Sequence, residues 1–218
     1  MPVALITGGT RGLGSAVAHA LSARSWTVVL DGRTPTDLPD LIAGDVTDPT
    51  HRDDLVRRVH EHGRLDLLLN NASTLGPGLR PLAAYSIDAL RRVLEVDVVA
   101  PLALVQDLLP LLRSSGGTVI DVSSDAAVGA YAGWGGYGAA KAALDHVTAV
   151  LAVEEPGVRC YALDPGDMRT AMHQEAFPGE DISDRPEPSS VVPALLRLLA
   201  GRPPSGRYRA ADLLALPA

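Results

Sequence analysis

Short apolar runs alternate along this chain with longer stretches of helical periodicity, and that alternation limits the folds open to it. The runs are PVALIT (2–7), TVVLDG (27–32), LIAGDV (41–46), DLLLNNA (66–72), TVIDVSS (118–124) and VRCYALDP (158–165). They end at or beside Gly, Asp, Asn, Ser or Pro, the residues that stop strands and open loops. Their near-continuous apolar character suits strands covered on both faces, as in a parallel sheet. Helical patterns occupy 13–24, 52–62, 86–112, 136–153 and 189–200, and Pro101 predicts a bend near 97–101 in the third of these. Strand and helix repeated in turn predict right-handed crossovers and an α/β fold, a doubly wound parallel sheet. Ligands of such sheets bind at the carboxyl ends of the strands. With 218 residues and no linker, residues 1–218 read as a single domain. The irregular, acid- and proline-rich stretch 171–190 is expected to be a substrate lid.

Charge narrows the partners. The formal net charge of −7 argues against a nucleic-acid surface, and no polybasic stretch suits an anionic membrane. No apolar run reaches the ~18–20 residues of a membrane span, and MPVALITGGTRG turns Gly-rich too soon for a signal peptide. The single cysteine, Cys160, has no internal partner, so a reducing cytoplasm is the expected setting. The six histidines show no metal-ligand spacing, and no metal site is expected; His60 and His62 flank Glu61 on what reads as a solvated helix face.

ITGGTRGLGSAVAHAL places Gly8, Gly9, Gly12 and Gly14 between the first strand and an amphipathic helix. Glycine lets backbone approach a pyrophosphate closely, and the helix start offers unpaired N–H groups and a positive dipole end. The spacing T-G-x-x-x-G-x-G resembles the short-chain dehydrogenase/reductase family. GDVTD (44–48), NNAS (70–73) and DPGDMRT (164–170) resemble its later motifs, with Ser73 where the family usually has glycine. The resemblance is strong over residues 2 to 170. It implies a Rossmann-type fold with strand order 3-2-1-4-5-6-7, the last strand coming from 205–213. It further implies that a nicotinamide dinucleotide is held by Gly8, Thr10, Arg11, Gly12, Leu13 and Gly14, with Asp45 and Val46 toward the adenine. Asn71 and Ala72 would follow, and Pro165, Gly166, Met168 and Thr170 would hold the nicotinamide carboxamide.

Tyr137 and Lys141 stand four residues apart, so on a helix they share one face. Ser124 precedes Tyr137 by thirteen residues, the separation this family uses, which selects it over Ser123 and selects Tyr137 over Tyr131. Reduction of a carbonyl builds an alkoxide that needs a proton donor and a hydrogen-bond partner. A free tyrosine, with a pKa of ~10, is a poor base at neutral pH, and a neighbouring ammonium pulls that value down. The resemblance makes Tyr137 the acid/base, Ser124 the partner of the substrate oxygen, and Lys141 both the tuner of Tyr137 and an anchor for the cofactor ribose. The family commonly carries asparagine where this chain has Asp97. A carboxylate there is expected to pair with Lys141 and alter the proton relay, giving slower turnover or a higher pH optimum.

After the second strand, an ungapped count from Gly14 puts Gly32 at the position that discriminates the two nucleotides and Arg33 at a 2′-phosphate, with Arg11 a second phosphate partner. Asp31 is the opposing signal, since a slip of one residue would set a carboxylate at the ribose. The balance favours NADP(H) over NAD(H). The short span from Asp31 to Asp45 predicts an open adenine side. Ser73, Asp125, Tyr131, Trp134, Met172 and His173 are placed to wall a substrate pocket, and the acidic lid argues for a neutral or cationic small-molecule carbonyl or alcohol. A cofactor-sensing protein without turnover, or an epimerase or dehydratase on the same fold, are the competing readings. The wide apolar faces of 86–112 and 136–153, with the resemblance, imply a homodimer or homotetramer.

Overall fold

The computed structural model describes residues 1–34 and 40–216. Seven parallel strands form one sheet: β1 (Val3–Ile6), β2 (Thr27–Gly32), β3 (Leu41–Ala43), β4 (Leu67–Asn70), β5 (Thr118–Val122), β6 (Arg159–Asp164) and β7 (Gly206–Arg209). Their order is β3-β2-β1-β4-β5-β6-β7, the expected one. Because side chains alternate across a strand, β1 feeds both layers. Ala4 and Ile6 pack with α1 (Gly12–Ser22), α7 (Val192–Gly201) and α8 (Ala210–Ala215). Val3 and Leu5 pack with α2 (Pro49–His62) and α4 (Ala100–Ser115). The chain runs from β1 outward to β2 on one side and reaches β4 on the other, so a crevice opens at the carboxyl ends of β1 and β4.

The helical stretch 86–112 is not one bent helix. It is α3 (Ile87–Leu94), a π-helical turn over Glu95–Val99, and α4. Pro101 has no N–H to offer the carbonyl four residues back, and the Ala100 N–H reaches the Glu95 carbonyl, five residues back. The expected last strand, 205–213, is strand only as far as Arg209, and Ala210 opens α8. Within 171–190 lie α6 (Ala171–Ala176) and a 3-10 turn over Pro188–Ser190. The open adenine side expected from the short Asp31–Asp45 span falls on residues 35–39, outside the described residues. α5 (Gly135–Glu154) carries Tyr137 and Lys141, both buried. Among the described residues no helix is long and apolar enough to cross a membrane.

Candidate active site

The glycine-rich turn is pinned from three sides. Gly8 has φ +62° and donates its N–H to the Asp31 carboxylate at 3.1 Å. The Gly9 N–H reaches the Asp31 carbonyl at 2.7 Å. From the loop just after β4, the Asn71 side chain donates to the carbonyls of Thr7 (2.9 Å) and Gly8 (3.1 Å), while the N–H groups of Asn71 and Ala72 reach the Thr7 hydroxyl at 2.9 and 3.0 Å. Beyond this turn α1 begins with no side-chain cap on its first N–H groups, which leaves them for a ligand. A Cβ on Gly12 (φ +57°) would meet only the Thr170 methyl, at 3.6 Å, and one on Gly166 (φ +72°) would meet nothing within 4 Å. This is a cradle with open space and N–H donors, and it fits a dinucleotide pyrophosphate.

The cradle belongs to a cleft of ≈ 1260 Å³, above the usual range for a drug-sized ligand alone. Gly8, Thr10, Arg11, Gly12, Leu13, Arg33, Asp45, Val46, Asn71, Ala72, Ser124, Tyr137, Lys141, Pro165, Gly166, Met168 and Thr170 all line it. Gly14 and Asp97 do not. A Cβ on Gly14 would stand 2.5 Å from the Gly8 carbonyl oxygen, so that glycine serves the close packing of α1 on the turn. Asp97 lies behind the wall with no exposed surface.

At the cleft floor Lys141 is buried, with its Nζ 2.8 Å from the Val122 carbonyl, 3.1 Å from Asp97 Oδ1 and 5.5 Å from the centre of the Tyr137 ring. Burial works against its ammonium, but Asp97 and Tyr137 hold it above the ordinary lysine value. Burial likewise pushes the Tyr137 phenol up, and Asp97 adds to that; Lys141 opposes, as do the hydroxyls of Ser124 and Ser73. Lys141 thus pulls in the expected direction but is outweighed. The Ser124 hydroxyl accepts from the Ala126 N–H at 3.2 Å and donates to Asp125 at 3.1 Å. The Asp97–Lys141 pairing is present, and the π-helical turn carries Asp97 to it.

The adenine end differs from a simple count along the chain. Asp31 is buried, and its second oxygen lies 2.6 Å from His51 Nε2. Gly44 makes room for that ring, since a Cβ there would come within 2.3 Å of His51 Nδ1. The Asp31 carboxylate is therefore taken up inside the protein. Gly32 faces Thr10, 2.4 Å from where its Cβ would be, and Arg33 stands exposed on the rim. Asp45 accepts from the N–H and hydroxyl of Thr47 and from Arg92 at 2.6 Å. Burial pushes its carboxyl up, but the Thr47 bonds and Arg92 together hold it below the usual range.

At the opposite end the walls are largely apolar. Trp134 meets Tyr137 edge-on at 5.8 Å and Phe177 at 6.0 Å, with Leu75, Met172 and Ala176 packed around them. Ser73, Asp125, Tyr131, Trp134, Met172 and His173 all line the cleft where the spacing placed them. His51, Arg92 and Phe177 were not foreseen. Each meets the site across distant elements, and no local spacing signals such a meeting.

Comparison with known proteins agrees with this geometry. The short chain dehydrogenase family model matches residues 2–181. The oxidoreductase YciK of Escherichia coli is 32% identical over 217 residues, covering 90% of this chain and 85% of that one. Benzil reductase ((S)-benzoin forming) of Saccharomyces cerevisiae is 32% identical over 215 residues, covering 89% and 80%. A short chain dehydrogenase of Shigella flexneri, solved with NADP, superposes with a TM-score of 0.89 at 28% identity, over 96% of this chain and 97% of the other. The chain belongs to the short-chain dehydrogenases and is an oxidoreductase of that family, which uses nicotinamide cofactors.

Proposed function

We propose that the protein is an NADP(H)-dependent reductase or dehydrogenase of a small carbonyl/alcohol pair bearing a bulky apolar or aromatic group. The observation that carries this reading is the meeting of Tyr137, Ser124 and Lys141 at the floor of a cleft with the glycine cradle at one end and the Trp134–Phe177 lobe at the other. The dinucleotide would lie along Gly8–Leu13, Asn71–Ala72 and Pro165–Thr170, and it supplies or accepts a hydride. Tyr137 exchanges the proton at the substrate oxygen, Ser124 donates a hydrogen bond to that oxygen, and Lys141 keeps positive charge beside the phenol and anchors the ribose. Arg33 and Arg11, with Asp31 turned inward, suit a 2′-phosphate. The Shigella flexneri relative's NADP and the benzil reductase's name both agree with this.

The stretch 171–190 would act as the lid. The exposed face of α5, formed by Ala139, Ala142, His146, Ala149, Val150 and Val153, would pair with a second copy about a two-fold axis, which sedimentation would test. Buried Cys160, its thiol pushed up to about 12 by its surroundings, suits a reducing cytoplasm.

Consumption of NADPH and NADH against a panel of aryl ketones, diketones and quinones tests the assignment. Tyr137→Phe is expected to cut turnover by about 10²- to 10⁴-fold while the protein still binds NADPH. Unchanged turnover in that variant would remove the mechanism. Tight NADPH binding without turnover on any member would favour cofactor sensing.

A further inference from the structure

We propose that Asp125 is a substrate-recognition residue, and that it directs the protein toward carbonyls with a hydrogen-bond donor on the neighbouring carbon: α-hydroxy ketones and α-amino ketones. The inference rests on the preceding reading, in which Ser124 donates to the substrate oxygen and Tyr137 exchanges its proton.

A serine hydroxyl has one hydrogen and two lone pairs. Ser124 caps the 3-10 turn over Asp125–Ala127, and one of its lone pairs takes the Ala126 N–H at 3.2 Å. Its hydrogen goes to Asp125 Oδ1, 3.1 Å away. The hydrogen that a substrate carbonyl needs is thus already held by a carboxylate. Turning it toward the carbonyl strips Asp125 Oδ1 of its donor. A substrate with a hydroxyl or ammonium on the next carbon replaces that donor as it takes the Ser124 hydrogen. The two protein oxygens stand 3.1 Å apart, so groups on adjacent carbons can reach both. A plain ketone has nothing to offer the carboxylate, and an acidic substrate is repelled by it.

The surroundings leave Asp125 to the cleft. It is exposed and lines the cleft wall, and the N–H groups of Val128 and Gly129 hold its carbonyl at 3.0 and 2.8 Å, which fixes its backbone. Arg207 donates to the Ser124 carbonyl at 2.9 Å, but its carboxylate partners are Asp145 and Asp164. Reduction does not consume the donor group. The carbonyl carbon gains a hydride from the nicotinamide, its oxygen gains the Tyr137 proton, and the product is a vicinal diol or amino alcohol.

The test compares three ketones of one shape: α-hydroxyacetophenone, α-aminoacetophenone, and propiophenone, which has a methyl where the others have the donor. A neighbouring heteroatom also activates a carbonyl, so the readout is the change in ratio on mutation. In Asp125→Ala, kcat/KM with NADPH should fall about tenfold for the hydroxy ketone and further for the amino ketone. Water competes for this exposed carboxylate, which keeps the factor well below the roughly 10⁴ of a buried polar site. Propiophenone should instead be reduced faster, because the Ser124 hydrogen is no longer held. Asp125→Asn keeps an acceptor oxygen but no charge, so it should spare most of the hydroxy ketone's rate and little of the amino ketone's. Equal losses for all three ketones in Asp125→Ala, or no loss for the hydroxy ketone, would overturn the inference and leave the reductase reading standing. If Asp125→Ala does not fold, the split between the two donors in Asp125→Asn decides. If the wild type turns over no ketone, calorimetric binding to its NADP⁺ complex decides. A preference for the hydroxy ketone over propiophenone that is lost in Asp125→Ala would support Asp125 and overturn the reductase reading. Absence of that preference would overturn both.

Discussion

The buried polar residues of this protein are intelligible only when their hydrogens are counted. Thr148 has one hydroxyl hydrogen, yet its oxygen lies 2.6 Å from Asp121 Oδ2 and 2.8 Å from the Leu144 carbonyl. If Asp121 were ionised, both neighbours would be acceptors and one would go without. If Asp121 carries a proton it donates to Thr148, which donates to Leu144, and the other Asp121 oxygen still accepts from Asn70 at 2.7 Å. Burial also pushes this carboxyl up, against the bonds from Thr148 and Asn70 and the charge of Lys141. A proton held more tightly in the folded state gives stability that is fully present below the unfolded value of ~3.9 and is lost as pH rises through the folded one. The amide introduced by Asp121→Asn can donate to Thr148 and accept from Asn70. Its stability near neutral pH should match or exceed wild type, within about 1 kcal/mol of it. The wild-type urea midpoint should fall relative to the variant's as pH rises above ~3.9 toward neutral. A variant that loses stability equally at acid and at neutral pH would show that Asp121 is ionised when folded.

Among the elements, the break between α3 and α4 is the most informative. Pro101 marks a disturbance that sequence alone makes visible, but not its form. A kink and a π-helical turn answer the same missing N–H, and only the latter adds a residue to the turn, here bringing Asp97 against Lys141. Tyr137 and Lys141 were legible because a shared helix face is a matter of local spacing. Asp31 was ambiguous because its partners, His51 on α2 and the Gly8 N–H, come from elements the chain reaches later or earlier. Pro110 is a separate case. It lies inside α4 on the exposed side, where it removes a helix hydrogen bond. Pro110→Ala restores that donor at a site with little packing to disturb. It should raise stability by roughly 1–3 kcal/mol, somewhat offset by the freer unfolded chain. A higher urea midpoint with unchanged slope is the expected reading, and a lower midpoint would mean that α4 is shaped around the proline.

For the molecule as a whole, two apolar layers fix the sheet, and the site is what the sheet leaves open at its carboxyl edge. The cleft is lined by the loops after β1, β2, β4 and β6, so the binding energy of a dinucleotide held there should appear as stability of the entire fold. At a hundred times its dissociation constant, a ligand adds about 2.7 kcal/mol. In a chain of this size that is a rise in Tm of roughly 5–10 °C. If Arg33 reads the 2′-phosphate, NADPH should raise Tm further than NADH at equal concentration, and Arg33→Ala should remove the difference while sparing the NADH shift. Asp31→Asn should do the opposite, because Asp31 holds the turn under both nucleotides through Gly8 and His51. Both shifts should shrink together in that variant. If Asp31→Asn instead impaired NADH alone, its carboxylate would be reaching a ribose, and the inward placement of Asp31 would not be the state that binds cofactor.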